Sequence, residues 1–145
     1  MSKAIFAGSF DPPTKGHKEI VKKAASIFEA VYVVVFINPD KEYMFPTDER
    51  KKMLSDMLAD IPGVRVDSCD GYVTDYAHAH GIDVIVRGIR DEKDTEYELS
   101  LARAYRDMAP DISVVFIPAD REYEHVSSTL VREKLAKGED ISNLI

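Results

Sequence analysis

Residues 31–37 read Val31-Tyr32-Val33-Val34-Val35-Phe36-Ile37, an unbroken apolar run in which every side chain is β-branched or aromatic. A strand sends successive side chains to opposite faces, so such a run is buried on both faces. A sheet covered on both sides is normally parallel, with its crossover helices supplying the cover. Shorter apolar runs recur at Ala4-Ile5-Phe6-Ala7, Val64-Arg65-Val66, Val84-Ile85-Val86 and Ile112 to Ile117. Between them lie stretches with helical spacing. Ile20, Val21, Ala24, Ala25, Ile27 and Phe28 make one stripe, predicting a helix from Gly16 to Phe28. Thr47 reads as the cap of a second, with Asp48 and Glu49 in its first turn and Met53, Leu54, Met57 and Leu58 buried, ended by Pro62-Gly63. A short helix spans Gly71 to His80 with Tyr72, Val73, Tyr76 and Ala77, and Gly81 stops it. Asp91 caps a long helix with Tyr97, Leu101, Ala102, Tyr105 and Met108 inward, broken at Pro110-Asp111. Ser127-Ser128-Thr129 opens the last helix, through Leu135, and Gly138 ends it. Alternation of this kind predicts an α/β fold, a doubly wound parallel sheet with right-handed crossovers, as a single domain over residues 1–145.

The segment Gly8-Ser9-Phe10-Asp11-Pro12-Pro13-Thr14-Lys15-Gly16-His17 joins the first strand to the first helix. Two glycines and two prolines make it a shaped turn at a strand's carboxyl end, where ligands of α/β sheets bind. His17 opens the helix, where free N–H groups and the dipole favour an anion. Arg87-Gly88-Ile89-Arg90 follows the fourth strand with two guanidinium groups around a glycine. Ser127, Ser128 and Thr129 place three hydroxyls at a helix start, and Lys41 sits in the Asn38–Pro46 loop. Taken singly, these are a cap, ion-pair residues and a solvated lysine, and Glu98 is an exposed helix residue. Taken together, at the ends of parallel strands, they make a clamp for a polyphosphate.

Other chemistries lack their marks. A net charge of −7 argues against a nucleic-acid binder. The single cysteine, Cys69, excludes an internal disulfide and a cysteine-rich zinc site, and suits a cytoplasmic location. No apolar leader or membrane-spanning stretch is present. There is no GxGxxG, no GxxxxGK[ST] and no GxSxG. His78 and His80, two apart on a helix, point apart.

Gly8-Ser9-Phe10-Asp11-Pro12 with Thr14-Lys15-Gly16-His17 resembles the T/HxGH nucleotidyltransferases, with Thr14 in place of the first histidine. Arg87-Gly88-Ile89-Arg90 followed by Glu96-Tyr97-Glu98, and Val126 through Glu133, narrow the resemblance to the bacterial phosphopantetheine adenylyltransferases. It covers nearly the whole chain, with the motifs in order. The GH turn alone is shared with nicotinate-mononucleotide adenylyltransferases, cytidylyltransferases and class I aminoacyl-tRNA synthetases.

The resemblance implies a Rossmann-like five-stranded parallel sheet of order 3-2-1-4-5, usually assembled as a homohexamer. It implies transfer of the adenylyl group of ATP to 4′-phosphopantetheine, giving dephospho-coenzyme A and pyrophosphate, in coenzyme A synthesis. Mg²⁺ would ride on the ATP phosphates, with no protein side chain assigned as its ligand. Coenzyme A would be a feedback inhibitor. By the same resemblance His17 and Lys41 stabilise the transferring phosphate, with Arg90 also in the catalytic set, and Ser9 orients both substrates. Ser9, Lys41, Val73 and Arg87 bind phosphopantetheine. Ser9, Phe10, His17, Gly88, Ile89, Arg90, Glu98, Tyr123, Glu124, His125, Val126, Ser127, Ser128 and Thr129 line the ATP site. Three positions depart from the family: Ser9 for threonine, Val73 for a longer aliphatic residue, and His125 for an aromatic or apolar one. The chain also stops at Ile145, short of a longer terminal helix that makes family contacts. The alternatives are a related transferase with another acceptor, such as nicotinate mononucleotide, and a non-catalytic nucleotide-binding module.

Overall fold

A computed structural model describes residues 2–145. Five strands, β1 (Lys3–Gly8), β2 (Ala30–Phe36), β3 (Val64–Cys69), β4 (Val84–Ile89) and β5 (Ser113–Pro118), form one sheet of order β3-β2-β1-β4-β5. All four pairings are parallel. β1 is central, with Ile5 between Tyr32 of β2 and Ile85 of β4. The expected class and strand order are those observed.

Alternation along the strands feeds two cores. Ala4, Phe6, Val31, Val33, Val35, Val84 and Val86 face helices α1 (Lys15–Ile27) and α2 (Thr47–Met57), meeting Ile20, Val21, Ala24 and Leu54. Ile5, Ala7, Tyr32, Val34 and Ile85 face the other side, where α3 (Val73–Ala79) brings Tyr76 and Ala77, and α4 (Glu92–Met108) brings Tyr105. The last helix, α5 (Ser128–Ala136), packs Val131 against Val126 and Leu144 of the tail.

Several details differ from the expectation. Ile27, expected on the buried stripe of α1, is 64% exposed, and Tyr72, expected on α3, is 67% exposed and precedes that helix. β3 runs on to Cys69, because Phe36 of β2 pairs with it. β4 runs on to Ile89, because β5 pairs with it up to Pro118, so Arg87 and Gly88 stand on the strand. Thr47 begins α2 rather than capping it, since Arg50 N–H donates to the Pro46 carbonyl. On α4 Leu101, Ala102 and Tyr105 keep the inward stripe, but its two ends differ. Glu98 is buried, while Tyr97 and Met108 are 64% and 51% exposed. The cause is electrostatic, because Glu98 turns in to meet the guanidinium of Arg87.

Ile85 is fully buried near the start of β4, away from the carboxyl ends of the strands where the candidate groups gather. Ile85→Ala is expected to cost about 2–5 kcal/mol in denaturant unfolding. A loss under about 1 kcal/mol contradicts this packing.

Candidate active site

The turn after β1 is held in an unusual conformation by contacts from several elements. Phe10 has φ 48°, a region costly for a bulky residue. Its ring is buried edge-on against Phe6 (centroids 5.5 Å) and His17 (4.9 Å). The buried Asp11 carboxylate accepts the N–H groups of Met44 (2.8 Å) and Phe45 (2.9 Å). Arg132 donates to the Asp11 carbonyl at 2.7 Å, and the Ser128 hydroxyl donates to the Pro12 carbonyl at 2.7 Å. The turn is thereby tied to the loop after β2 and to α5.

Thr14 caps α1 and sets the state of His17. Its backbone N–H donates to His17 Nδ1 (3.0 Å), and its hydroxyl accepts the His17 N–H (3.3 Å). Nδ1 is therefore an acceptor, and the neutral ring carries its proton on Nε2. Burial first, and then the positive charges of Arg90 and Arg87, lower the His17 pKa from 6.5 to about 4. At neutral pH His17 is an uncharged donor.

Both guanidinium groups of the Arg87–Arg90 segment are engaged. Arg87 makes a fork with the buried Glu98 carboxylate (2.7 and 2.9 Å) and donates to the Ala7 carbonyl (2.9 Å). Burial alone would weaken the Arg87 charge, and Glu98 more than offsets that, so its pKa is raised. Arg90 makes a fork with Asp94 (2.7 and 3.2 Å) and reaches the Val126 carbonyl at 3.4 Å. That pairing holds the Asp94 carboxyl below its ordinary range. The ion-pair reading of each arginine taken singly therefore holds alongside its place at the cleft. Arg87 and Arg90 offer only the donors their carboxylates leave over.

Two clefts open at the carboxyl ends of the strands and share Ala7, Gly8 and Arg87 as a common wall. The first, about 280 Å³, is bounded by His17, Arg90 and the start of α5. Of the residues expected to hold ATP, it gathers Phe10, His17, Gly88, Ile89, Arg90, Glu98, Tyr123, Val126, Ser127, Ser128 and Thr129. The second, about 730 Å³, gathers all four expected acceptor residues, Ser9, Lys41, Val73 and Arg87. There the Lys41 ammonium lies 3.4 Å from the Ser9 hydroxyl. Glu124 and His125 are exposed and line neither cleft, and Ser9 lines only the second. Two hydroxyls expected to grip phosphate have structural partners. Ser127 caps α5 by accepting Leu130 N–H, and Ser128 holds Pro12. Cys69 is half-buried, its sulfur accepting Gly71 N–H. His78 pairs with Asp111 and His80 stacks on Tyr76, neither of them lining a cleft.

Sequence reasoning missed Asp11 and Arg50 as the groups that shape the site. Arg50 had a usable signal, being a charged residue four before Leu54 on the buried face of α2. The carboxylate Asp94 and the aromatic wall of Tyr72, Tyr97 and Tyr105 were also missed as lining groups.

A protein-family model described as cytidylyltransferase-like matches residues 5–134. Curated phosphopantetheine adenylyltransferases match over nearly full length. That of Shouchella clausii is 37% identical over 145 residues, covering 100% of this chain and 91% of the relative. That of Thermotoga neapolitana is 39% identical over 142 residues, covering 98% and 88%. That of Acidovorax sp. is 40% identical over 142 residues, covering 98% and 86%. A Vibrio parahaemolyticus structure, provisionally described as a nicotinate-nucleotide adenylyltransferase, superposes with TM-score 0.70 at 25% identity, covering 99% of this chain and 86% of that one. The chain belongs to the cytidylyltransferase-like family, on the branch of the phosphopantetheine adenylyltransferases.

The lowered His17 pKa gives two expected outcomes. An NMR titration of the imidazole has its midpoint near pH 4, and a midpoint near 6.5 contradicts the desolvated, Nδ1-accepting geometry. Since the unfolded chain binds that proton more readily, the stability tied to neutral His17 is present above about pH 6.5 and is lost as pH falls toward 4.

Proposed function

We propose that this protein transfers the adenylyl group of ATP to 4′-phosphopantetheine, releasing pyrophosphate and forming dephospho-coenzyme A. The observation that carries the reading is the shared wall of the two clefts. A nucleotide in the first and an acceptor phosphate in the second meet beside Gly8 and Arg87, with His17 on one side and Ser9 and Lys41 on the other. The full-length relatives bear the name of this activity.

The chemistry asks little of the protein beyond placement. A phosphate acceptor is already an anionic nucleophile, so attack on the α-phosphorus needs no general base and no covalent enzyme intermediate. Rate comes from alignment and from donors aimed at charge that grows on the transferring group. The neutral His17 ring supplies an Nε2–H whose direction is fixed by Thr14. It is already held in place before the substrate binds. Lys41 supplies a point charge beside Ser9, where the acceptor phosphate arrives. The Arg87–Glu98 pair holds the wall between the clefts and contributes its remaining guanidinium donors.

Mg²⁺ fits this scheme as a companion of the triphosphate. Magnesium keeps several waters and usually takes few protein ligands. Asp94 and Glu98, the carboxylates of the first cleft, are held by arginines, and Asp11 accepts two backbone N–H groups. When bound, the ion neutralises phosphate charge. Hexameric assembly and inhibition by coenzyme A belong to the same reading, tested by sedimentation and inhibition kinetics.

The Vibrio parahaemolyticus likeness gives the second reading, with nicotinate mononucleotide as acceptor. Pyrophosphate release from ATP separates the two. Release is expected with phosphopantetheine and not with nicotinate mononucleotide, and the opposite preference overturns the proposal. ATP binding without release in either case favours a binding module. His17→Ala is expected to lower kcat by about 10²–10³. It should cost about 1–2 kcal/mol of stability, through the unsatisfied Thr14 N–H, and stay folded. Near-native turnover in that variant contradicts the role given to His17.

A further inference from the structure

We propose that Arg50, outside both clefts, is a positioning residue that sets Lys41 against Ser9. The inference rests on the reading above and adds a residue to it. Arg50 is a 1% exposed cation, and its partners are not carboxylates. Its Nε donates to the Phe45 carbonyl (2.9 Å), Nη1 to the Ser9 carbonyl (2.8 Å) and Nη2 to the Thr47 hydroxyl (3.1 Å). Its guanidinium carbon lies 4.0 Å from the centre of the Tyr43 ring. A buried charge is expensive unless its donors are met, so this arrangement fixes every group that meets them.

Those groups belong to the two segments that carry the chemistry. Ser9 is in the turn after β1, whereas Tyr43 and Phe45 are in the loop after β2 that bears Lys41. The loop closes on Tyr43, whose hydroxyl accepts Asn38 N–H at 2.8 Å, and Lys41 N–H donates to the Asn38 carbonyl at 3.1 Å. The Lys41 ammonium lies 5.4 Å from the same Tyr43 ring and 3.4 Å from the Ser9 hydroxyl. One planar fork thus locks the base of the Lys41 loop to the Ser9 backbone. A lysine at this position has its three donors on one nitrogen, so it cannot span acceptors met here by three separate nitrogens or lay a planar face on Tyr43.

The test is a cycle. Arg50→Lys, Arg50→Met and Tyr43→Phe are made in the native chain and in Lys41→Ala, with single-turnover rates so that slow variants stay readable. In the native background Arg50→Lys is expected to lower the rate about 10²-fold, as misplacement of about 1 Å can, and to raise KM for phosphopantetheine. Equilibrium ATP binding shifts by less than about 3-fold, because Arg50 touches nothing in the His17 cleft. In the Lys41→Ala background the same change costs less than about 3-fold more, since the group it positions is gone. Tyr43→Phe keeps the ring and removes the hydroxyl, so it should repeat the pattern at about 10-fold even if Arg50→Met fails to fold. Equal losses in both backgrounds, or lost ATP binding, overturn the positioning role. An active native enzyme indifferent to Arg50 and Tyr43 sinks this inference alone. A native protein with no turnover on phosphopantetheine sinks the functional reading and this inference together.

Discussion

Everything at the candidate site depends on β1 being paired on both edges, to β2 on one side and β4 on the other, always in parallel. The chain leaves β1 through α1 to reach β2, while β4 arrives from the opposite face by way of α3. Connections that depart in opposite directions from neighbouring strands leave a crevice above their carboxyl ends. The turn after β1 and the Arg87 end of β4 form its two lips. The Arg87 guanidinium reaches across to the Ala7 carbonyl and joins them. The site is a consequence of strand order before it is a consequence of any one side chain.

The electrostatics of that crevice are more restrained than a list of its basic residues suggests. Arg87 and Arg90 are each matched by a carboxylate, and their charges help keep His17 neutral. This suits a reaction between anions. A site lined with unpaired cations binds phosphates tightly in the ground state, which gains nothing for the chemical step. Donors fixed in direction act most where charge grows, on the transferring group. Paired arginines can still point their spare N–H groups at a ligand.

Most of the fold was legible, because buried parallel strands write both faces into the sequence as apolar runs. Val31 to Ile37 is the plainest case. The site was legible in its strand-end residues, His17, Ser9 and the Arg87–Arg90 segment, since glycine and proline mark shaped turns. What could not be read were partnerships across the chain. Glu98 seemed an exposed helix residue because nothing local says that Arg87, eleven residues earlier, folds back to it. Ser127 and Ser128 seemed phosphate ligands, yet their hydroxyls serve a helix cap and the Pro12 carbonyl. Arg50 and Asp11 were passed over because charged residues are usually solvated, and only tertiary structure shows them buried. Propensity and periodicity report local environment. Hydrogen bonds between Ser9 and Arg50, 41 positions apart, lie beyond their reach.

The central claim is direct transfer between two adjoining clefts, with the acceptor phosphate attacking the α-phosphorus in one step. The most direct measurement is stereochemical: turnover of ATP made chiral at the α-phosphorus by sulfur and isotopic oxygen, with the configuration of the adenylyl product determined. A single in-line displacement inverts that centre, and inversion is the result the account predicts. Retention would mean that the adenylyl group passes through a covalent enzyme intermediate, and it would contradict the account.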